Sequence, residues 1–398
     1  MNLSRIKRWI LLGHRWLGIG TCLLFFLWFL SGVVMMYVGH PKLTWQERLE
    51  HLPPLEASQP LLSPAEAFRQ AGIHGTVTDL RLANARAGQP VYIAQIRPDP
   101  RPEPRLLALD ARTGALLPPT DPATALASAQ VYLEQGGLSQ PSSSSALPAS
   151  GPRQPAGGSV QGAPGTLLYQ GITVEDAHTH SKAMDLHRPL HKVLLPDADQ
   201  TLLYISGTTG EVVRDAPRLE RGFNYLGAWL HWLYLFRDTA IDWTDLIIWL
   251  SVIGTVATIS GFLSGIIRWR FSRPYRSGSR SPFAPGALRW HHILGLVFAL
   301  TTFTWIFSGL MSMNPWDIFE ADESIIDARR ISNPDIQPSR AIATPQALLA
   351  STTTPVRELQ WHTLLDKARV KAIRTHEVPP RKHGPAHPAL GPLRQTLH

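Results

Sequence analysis

Residues 14–36 read HRWLGIGTCLLFFLWFLSGVVMM, and residues 291–313 read HHILGLVFALTTFTWIFSGLMSM. Aligned without a gap, the two stretches carry the same residue at nine of twenty-three positions. His14 answers His291, Leu17 answers Leu294 and Gly18 answers Gly295. Further along, Trp28 answers Trp305, Ser31-Gly32 answers Ser308-Gly309, and Met36 answers Met313. Unrelated apolar segments share leucines, but rarely His, Gly, Trp and Ser-Gly at one offset. One helix design is used twice, each copy with a histidine near its start.

Runs free of Asp, Glu, Lys and Arg cover all of the second copy, at 290–316, and all but His14 and Arg15 of the first, at 16–41, and a third such run covers 246–267. Each reaches the roughly 20 residues that a helix needs to cross a bilayer. The chain therefore reads as an α-helical membrane protein with three spans, at 9–38, 243–269 and 289–313, set in a lipid bilayer. Arg5, Lys7 and Arg8 precede the first run as they would in a secretory leader. That run is too long for one and lacks a small-residue cleavage site, so it reads as an anchor.

Charge orients the spans. Arg5, Lys7, Arg8 and Arg15 flank the first; Arg268, Arg270, Arg273, Arg276, Arg280 and Arg289 fill the link between the second and third, with no Asp or Glu in either place. The positive-inside rule puts the stub 1–8 and the loop 270–288 in the cytoplasm, so the two copies run in the same direction. These ten cations exceed the whole formal charge of +8. The basic balance thus reports topology and gives no support for nucleic-acid binding. Cys22, the only cysteine, falls inside the first span, which excludes disulfides and thiolate metal sites elsewhere.

Residues 39–221 have a soluble α+β composition and lie outside the cytoplasm. Ser63-Pro64-Ala65-Glu66 predicts a capped helix start. LLALDARTGALL at 106–117 and LLYISGTTGEVV at 202–213 predict two Thr-Gly hairpins in two related α+β units. Residues 136–165 are rich in Ser, Gly and Pro and read as a flexible linker. GFNYLGAWLHWLYLF, at 222–236, is aromatic but too short to span, and predicts a short helix at the outer surface. Residues 314–398 return outside, with an extended segment from Val356 and then a basic tail that reads as disordered.

A histidine in a bilayer is costly and marks function by default. Parallel copies place His14 and His291 at equal depth, where two neutral imidazoles can hold a flat iron porphyrin between them. Gly18 and Gly295, one turn along the same face, let the ring approach the backbone. His292 is an alternative ligand, and the competing reading makes all three interfacial side chains among lipid headgroups. A second, outer site draws on His40, which follows the first span, and on His231, in the aromatic segment before the second, both near the outer face. Gly254, Thr258, Gly261 and Gly265 form a small-residue stripe whose ordinary meaning is tight helix packing. HTHSKAMDLHRPLH, at 178–191, lacks cysteine and an ordered carboxylate, so ordinary loop histidines are its first reading. No dinucleotide fingerprint, GxSxG or HExxH motif occurs. The cytoplasmic parts are too small to hold flavin or NAD, so electrons would come from membrane quinol or from a cytoplasmic reductase.

In their order, the motifs HRWLG, HRPLHKVLL with YISGTTGEVV, LGAWLHWLY, and RWHHILGLVF with TWIFSGLMSMNPW resemble the PepSY-associated transmembrane family of bacterial inner-membrane proteins, over roughly residues 5–365. The resemblance implies a periplasmic PepSY-like domain and one or two b-type haems serving reduction of ferric siderophore. The family's histidines fall on His14, on His291-His292 and on His231. It also implies a continuation through further outer domain and at least one more membrane helix, past the basic tail at which this sequence stops, and often a tyrosine where this chain has His191. The main alternative is a non-enzymatic accessory or sensor protein whose PepSY-like domain binds a protein partner. A transporter fits poorly, because no charged residue lies deep in any span.

Overall fold

The first helix, α1, runs from Leu3 to Tyr37 without a proline and stops two residues short of Gly39. Its 35 residues extend for about 52 Å at 1.5 Å per residue, more than a bilayer core of about 30 Å requires. The computed structural model describes residues 3–97, 103–137, 166–237, 239, 242–319, 336–338, 343–364, 367–375 and 395–397. The linker read at 136–165, from residue 138 on, and most of the basic tail lie outside them. The chain divides into a helical unit (1–39 and 225–325) and a sheet-rich unit (40–224 and 326–398).

In the sheet-rich unit, α2 (Trp45–Glu50) and α3 (Pro64–Gln70) each start at a capping box, Thr44 with Glu47 and Ser63 with Glu66. Strands β1 (Thr76–Arg86), β2 (Gln89–Arg97) and β3 (Arg105–Asp110) form a meander, followed by α4 (Pro122–Gln135). Strands β4 (Leu168–Thr173), β5 (Leu190–Leu194), β6 (Leu202–Ser206) and β7 (Val212–Ala216) make a second, four-stranded antiparallel sheet, which α5 (Arg218–Asn224) follows. The two Thr-Gly turns fall as expected. Gly114 and Gly210 hold φ of +69° and +76°, the left-handed region that glycine enters without strain.

The segment read as extended from Val356 joins the first sheet. Strands β8 (Glu358–Leu364), β9 (Lys367–Ile373) and β10 (Gln395–Leu397) extend the meander into a six-stranded sheet of order β10-β9-β8-β1-β2-β3. Leu80 of β1 faces Trp361 of β8, and Trp361 packs with Phe68, Leu80 and Tyr92 in the core. A core begun by residues 55–111 is thus closed by residues some 250 positions later, a pairing that local periodicity does not reveal. On the second sheet, Ala125, Ala129, Tyr132 and Leu133 form one stripe of α4 and cover Val193, Leu203 and Ile205.

In the helical unit, α6 (Trp243–Arg268) starts at Asp242, whose carboxylate accepts from the backbone N–H of Thr244 and Asp245. The expected third span is a bent pair. Helices α7 (Ala287–Val297) and α8 (Ala299–Ser312) meet at 67° around Phe298, with no proline at the break. Among the described residues, two helices are thus long and apolar enough to cross a membrane, and the bent pair makes a third if it counts as one span. The outer helix expected at 222–236 continues from α5 through a π turn at Tyr225–Trp229 as far as His231; Leu233, at φ +51°, then ends it before a short 3-10 turn at Tyr234–Phe236. Helix α6 packs against α1 on one side and against α7 and α8 on the other. The small-residue stripe mediates this: Gly254 lies against Phe25 and Ile306, and Gly265 against Leu296.

Candidate functional site

His14 of α1 and His291 of α7 come together with ring centroids 6.3 Å apart and planes 21° from parallel. That separation is too long for ring contact; His51 stacks on Tyr132 in the same chain at 3.7 Å. It matches another arrangement. A ligated metal sits about 2 Å from an imidazole nitrogen, itself roughly 1.1 Å from the ring centre, so two rings on opposite sides of one metal have centres about 6.2 Å apart.

The His14 ring is held from behind. Ser260 of α6 donates its one hydroxyl proton to the carbonyl of Ala257 at 2.8 Å, leaving its oxygen as an acceptor 3.4 Å from His14 Nδ1. The proton of the neutral imidazole therefore belongs on Nδ1, and the lone pair on Nε2 is left as a ligand. Gly261 makes room for the ring: a Cβ there would stand 2.8 Å from His14 Cε1. His291 is exposed and makes no side-chain hydrogen bond among the described residues. Gly18 and Gly295, the residues expected to admit a flat ring, have nothing within 4 Å of a Cβ position.

His292 is placed differently. Its Nε2 donates to the Gly265 carbonyl at 3.0 Å, which obliges Nδ1 to accept from the Ser281 hydroxyl at 2.8 Å. Both nitrogens are engaged, and the ring is buried between Trp269 and Phe283. Of the two adjacent imidazoles, His291 has free nitrogens and His292 fastens α7 to α6.

His231 stands in a second place, next to Ser31 and Gly32 of α1, seventeen residues beyond His14 or about 25 Å along the helix. Ser31 Oγ donates to the Leu27 carbonyl at 2.7 Å, so it accepts from His231 Nδ1–H at 3.1 Å, and again Nε2 is left free. Here lies a cavity of about 360 Å³ walled by Phe25, Trp28, Phe29, Met35 and Met36 of α1, by Ile247 and Ser251 of α6, and by Trp305, Ile306, Gly309 and Met313 from α8 and its end. The indole N–H of Trp28 is buried without a hydrogen-bond partner among the described residues.

His40, the expected companion of His231, belongs to the sheet-rich unit, where its Nε2 lies 3.4 Å from the Arg214 guanidinium. Burial, then the charge of Arg214, pushes its pKa down to about 4. The histidines of 178–191 go to separate partners: His178 to Asn224, His187 to Ser206, and His191 to Tyr169 at 2.8 Å. Among the described residues, no three His, Cys, Asp or Glu side chains are grouped to hold a metal ion. Elsewhere in this unit two carboxylates and two guanidiniums are buried as one network. Arg81 binds Glu211 through two hydrogen bonds of 2.6 and 2.9 Å, and Arg48 binds Glu358 at 2.6 Å. Burial alone raises Glu211; Arg81, His187 and Arg48 overcome it and hold the carboxyl at about 2.

The model of one family, the PepSY-associated TM region, matches residues 11–391. The chain belongs to this family. No curated protein and no solved structure matches it. As a PepSY-associated TM protein it is a membrane protein, and its paired copies of HxxxG, the feature most visible in the sequence, are the elements that bring His14 and His291 together.

The sequence did not single out what holds the imidazoles. Three Ser-Gly pairs each receive one: Ser260-Gly261 receives His14, Ser31-Gly32 receives His231, and Ser264-Gly265 receives His292 through the Gly265 carbonyl. The serine or the backbone fixes the tautomer, and at Gly261 the missing side chain gives the His14 ring its space. Four Ser-Gly pairs in the apolar segments were the available signal, the fourth being Ser308-Gly309.

Proposed function

We propose that this protein is a b-type haem electron-transfer protein of the bacterial inner membrane that reduces ferric siderophore iron on the periplasmic side. The observation that carries the reading is the His14–His291 pair: two imidazoles at the spacing of axial ligands, one with its Nδ1–H fixed so that Nε2 is free. The residues fit the group on a second count, since the open glycine faces at Gly18 and Gly295 leave the backbone accessible to a macrocycle.

A haem bound there supplies a one-electron iron couple in an apolar setting. The protein's own residues divide the remaining work. His14 and His291 hold the iron, Ser260 keeps the His14 ring in one tautomer and orientation, and α6 carries Ser260 and Gly261 to the ring. The arginines of the 270–288 loop form a cationic face suited to an acidic cytoplasmic reductase, while membrane quinol is the other source of electrons. The sheet-rich unit presents the surface on which the chelate is received. Reduction adds one electron to iron(III) held by hard oxygen ligands and yields iron(II), which those ligands hold less tightly. No side chain has to act as an acid or base.

The test is reconstitution in liposomes with a reduced quinol analogue, presenting a ferric hydroxamate and trapping the ferrous product with an iron(II)-selective chelator. The reading predicts turnover that falls at least tenfold in His14→Ala and His291→Ala. Purified protein without a Soret band, and with no ferrous product above that of empty liposomes, would overturn it.

A further inference from the structure

The sheet-rich unit uses one pattern three times. Ser63-Pro64, Asp121-Pro122 and Thr344-Pro345 each open a helix, the capping side chain accepting from the backbone N–H three residues on. These helices are α3, α4 and α9 (Pro345–Ala350), and the first strands that follow them are β1, β4 and β8. Two of the repeats cover each other. Strands β1 and β8 pair antiparallel at the middle of the order β10-β9-β8-β1-β2-β3, so the six-stranded sheet is two halves joined edge to edge about a pseudo-two-fold, with Phe68 of α3 and Leu349 of α9 in one core.

The middle repeat has no such companion among the described residues. Leu109 and Ile205 are equivalent, each five residues before the glycine of a Thr-Gly turn. Leu109 stands beside Tyr92, and Tyr92 beside Leu82; Ile205 stands beside His191, and His191 beside Ile172. Ile172 therefore occupies the place of Leu82. Leu82 pairs with Leu359 of β8 and is fully buried, whereas Ile172 is 56% exposed.

Four strands are sheet edges, and β4 is the one left unprotected. Strand β3 carries Arg105 and Asp110, β7 carries Arg214 and Asp215, and β10 is three residues long, whereas Leu168–Thr173 has neither charge nor proline. Charge, proline and brevity are what keep an edge from pairing. Among the described residues, no main-chain hydrogen bond closes the outer side of β4.

We propose that the β4 edge is a homodimer interface, at which β4 of two copies pairs antiparallel about a two-fold axis and joins two four-stranded sheets into one, as β1 and β8 join their halves within the chain. Pairing of a strand with its own copy is isologous and closes at two chains. Residues 166–174 are uncharged, so no like charges are brought opposite one another. Ile172 of each copy gains the cover that Leu82 has from β8, and anchorage in one bilayer raises the effective concentration of the two edges. The pairing is independent of whether the helices hold haem.

The experiment uses the full chain. Its mass in detergent is measured by light scattering after size-exclusion chromatography, and in a Cys22→Ser background Gln170→Cys is treated in the membrane with a short bis-maleimide. The expected result is the mass of two chains and a covalent dimer. Ile172→Lys and Val174→Lys should each abolish the cross-link and give the mass of one chain, with circular dichroism unchanged; Arg112→Cys, exposed on the turn after β3, should not cross-link. A one-chain mass without a cross-link, a dimer that both lysine variants leave intact, or equal cross-linking from Arg112→Cys would overturn the assignment. A single chain that dimerises only once residues 138–165 are deleted would give the edge to the chain's own preceding segment, and overturns it as well.

Discussion

Gly261 of α6 lies directly beneath His14 of α1, so that a Cβ at position 261 would come within 2.8 Å of the imidazole Cε1. The ring and the helix backbone are in contact because the residue between them has no side chain. Gly261→Val should therefore move His14 off its position while leaving its chemistry intact. The expected outcome is loss of the Soret absorbance attributed to the inner haem in a protein that still shows helical circular dichroism. A full Soret band in Gly261→Val would mean that His14 is not held where the ligand is.

Ser260 acts on the same ring by orientation. Ser260→Ala removes the acceptor for Nδ1–H and leaves the imidazole free to rotate or to take the other tautomer. Losing such a supporting partner costs roughly 10–100-fold in metal affinity at comparable sites. Haem retention during dialysis against apomyoglobin measures it, with faster loss expected than from the parent.

His292 separates support from ligation. Its two hydrogen bonds, to Gly265 and Ser281, join the start of α7 to the end of α6 and to the intervening loop. His292→Ala should lower thermal stability, by about 1–3 kcal/mol for a lost buried hydrogen-bonded group, and leave the visible spectrum unchanged. His291→Ala should do the reverse.

Two buried carboxylates give the sheet-rich unit an acid profile of opposing signs. Glu211 is held at about 2, below its ordinary 4.5, so the stability that it contributes is full above that ordinary value and is lost as pH falls toward 2. Asp215 is pushed up to about 7 from 3.8, by burial first and then by Glu47 and Glu220; its contribution is full below 3.8 and is lost as pH rises through 7. Asp215→Asn should therefore raise the melting temperature more at pH 8 than at pH 5, and Glu211→Gln should lower it at neutral pH, as read by differential scanning fluorimetry. Equal shifts at both pH values for Asp215→Asn would mean that the carboxyl ionises normally.

Much of this arrangement is legible in the sequence because the residues that matter are repeated or periodic. The HxxxG copies give the His14–His291 pair, and the two Thr-Gly turns give the two sheets. The rest depends on long-range pairing. Trp361 closes a core begun by Phe68 and Tyr92 in a register set by backbone hydrogen bonds between β1 and β8, which no local pattern encodes. The bend at Phe298 occurs in an unbroken apolar run, so hydropathy reads one span where the backbone makes two helices. That His292 is buried with both nitrogens engaged while His291 stays exposed depends on Ser281 and the Gly265 carbonyl, neither of which marks itself in the sequence.

The measurement that bears most directly on the central claim is the haem content and low-temperature electron paramagnetic resonance of the purified protein, taken with His14→Ala and His291→Ala alongside. Two imidazole planes 21° from parallel predict a rhombic low-spin ferric signal that disappears in either variant. A low-spin signal of full intensity in both variants, or no haem in the parent protein, would contradict it.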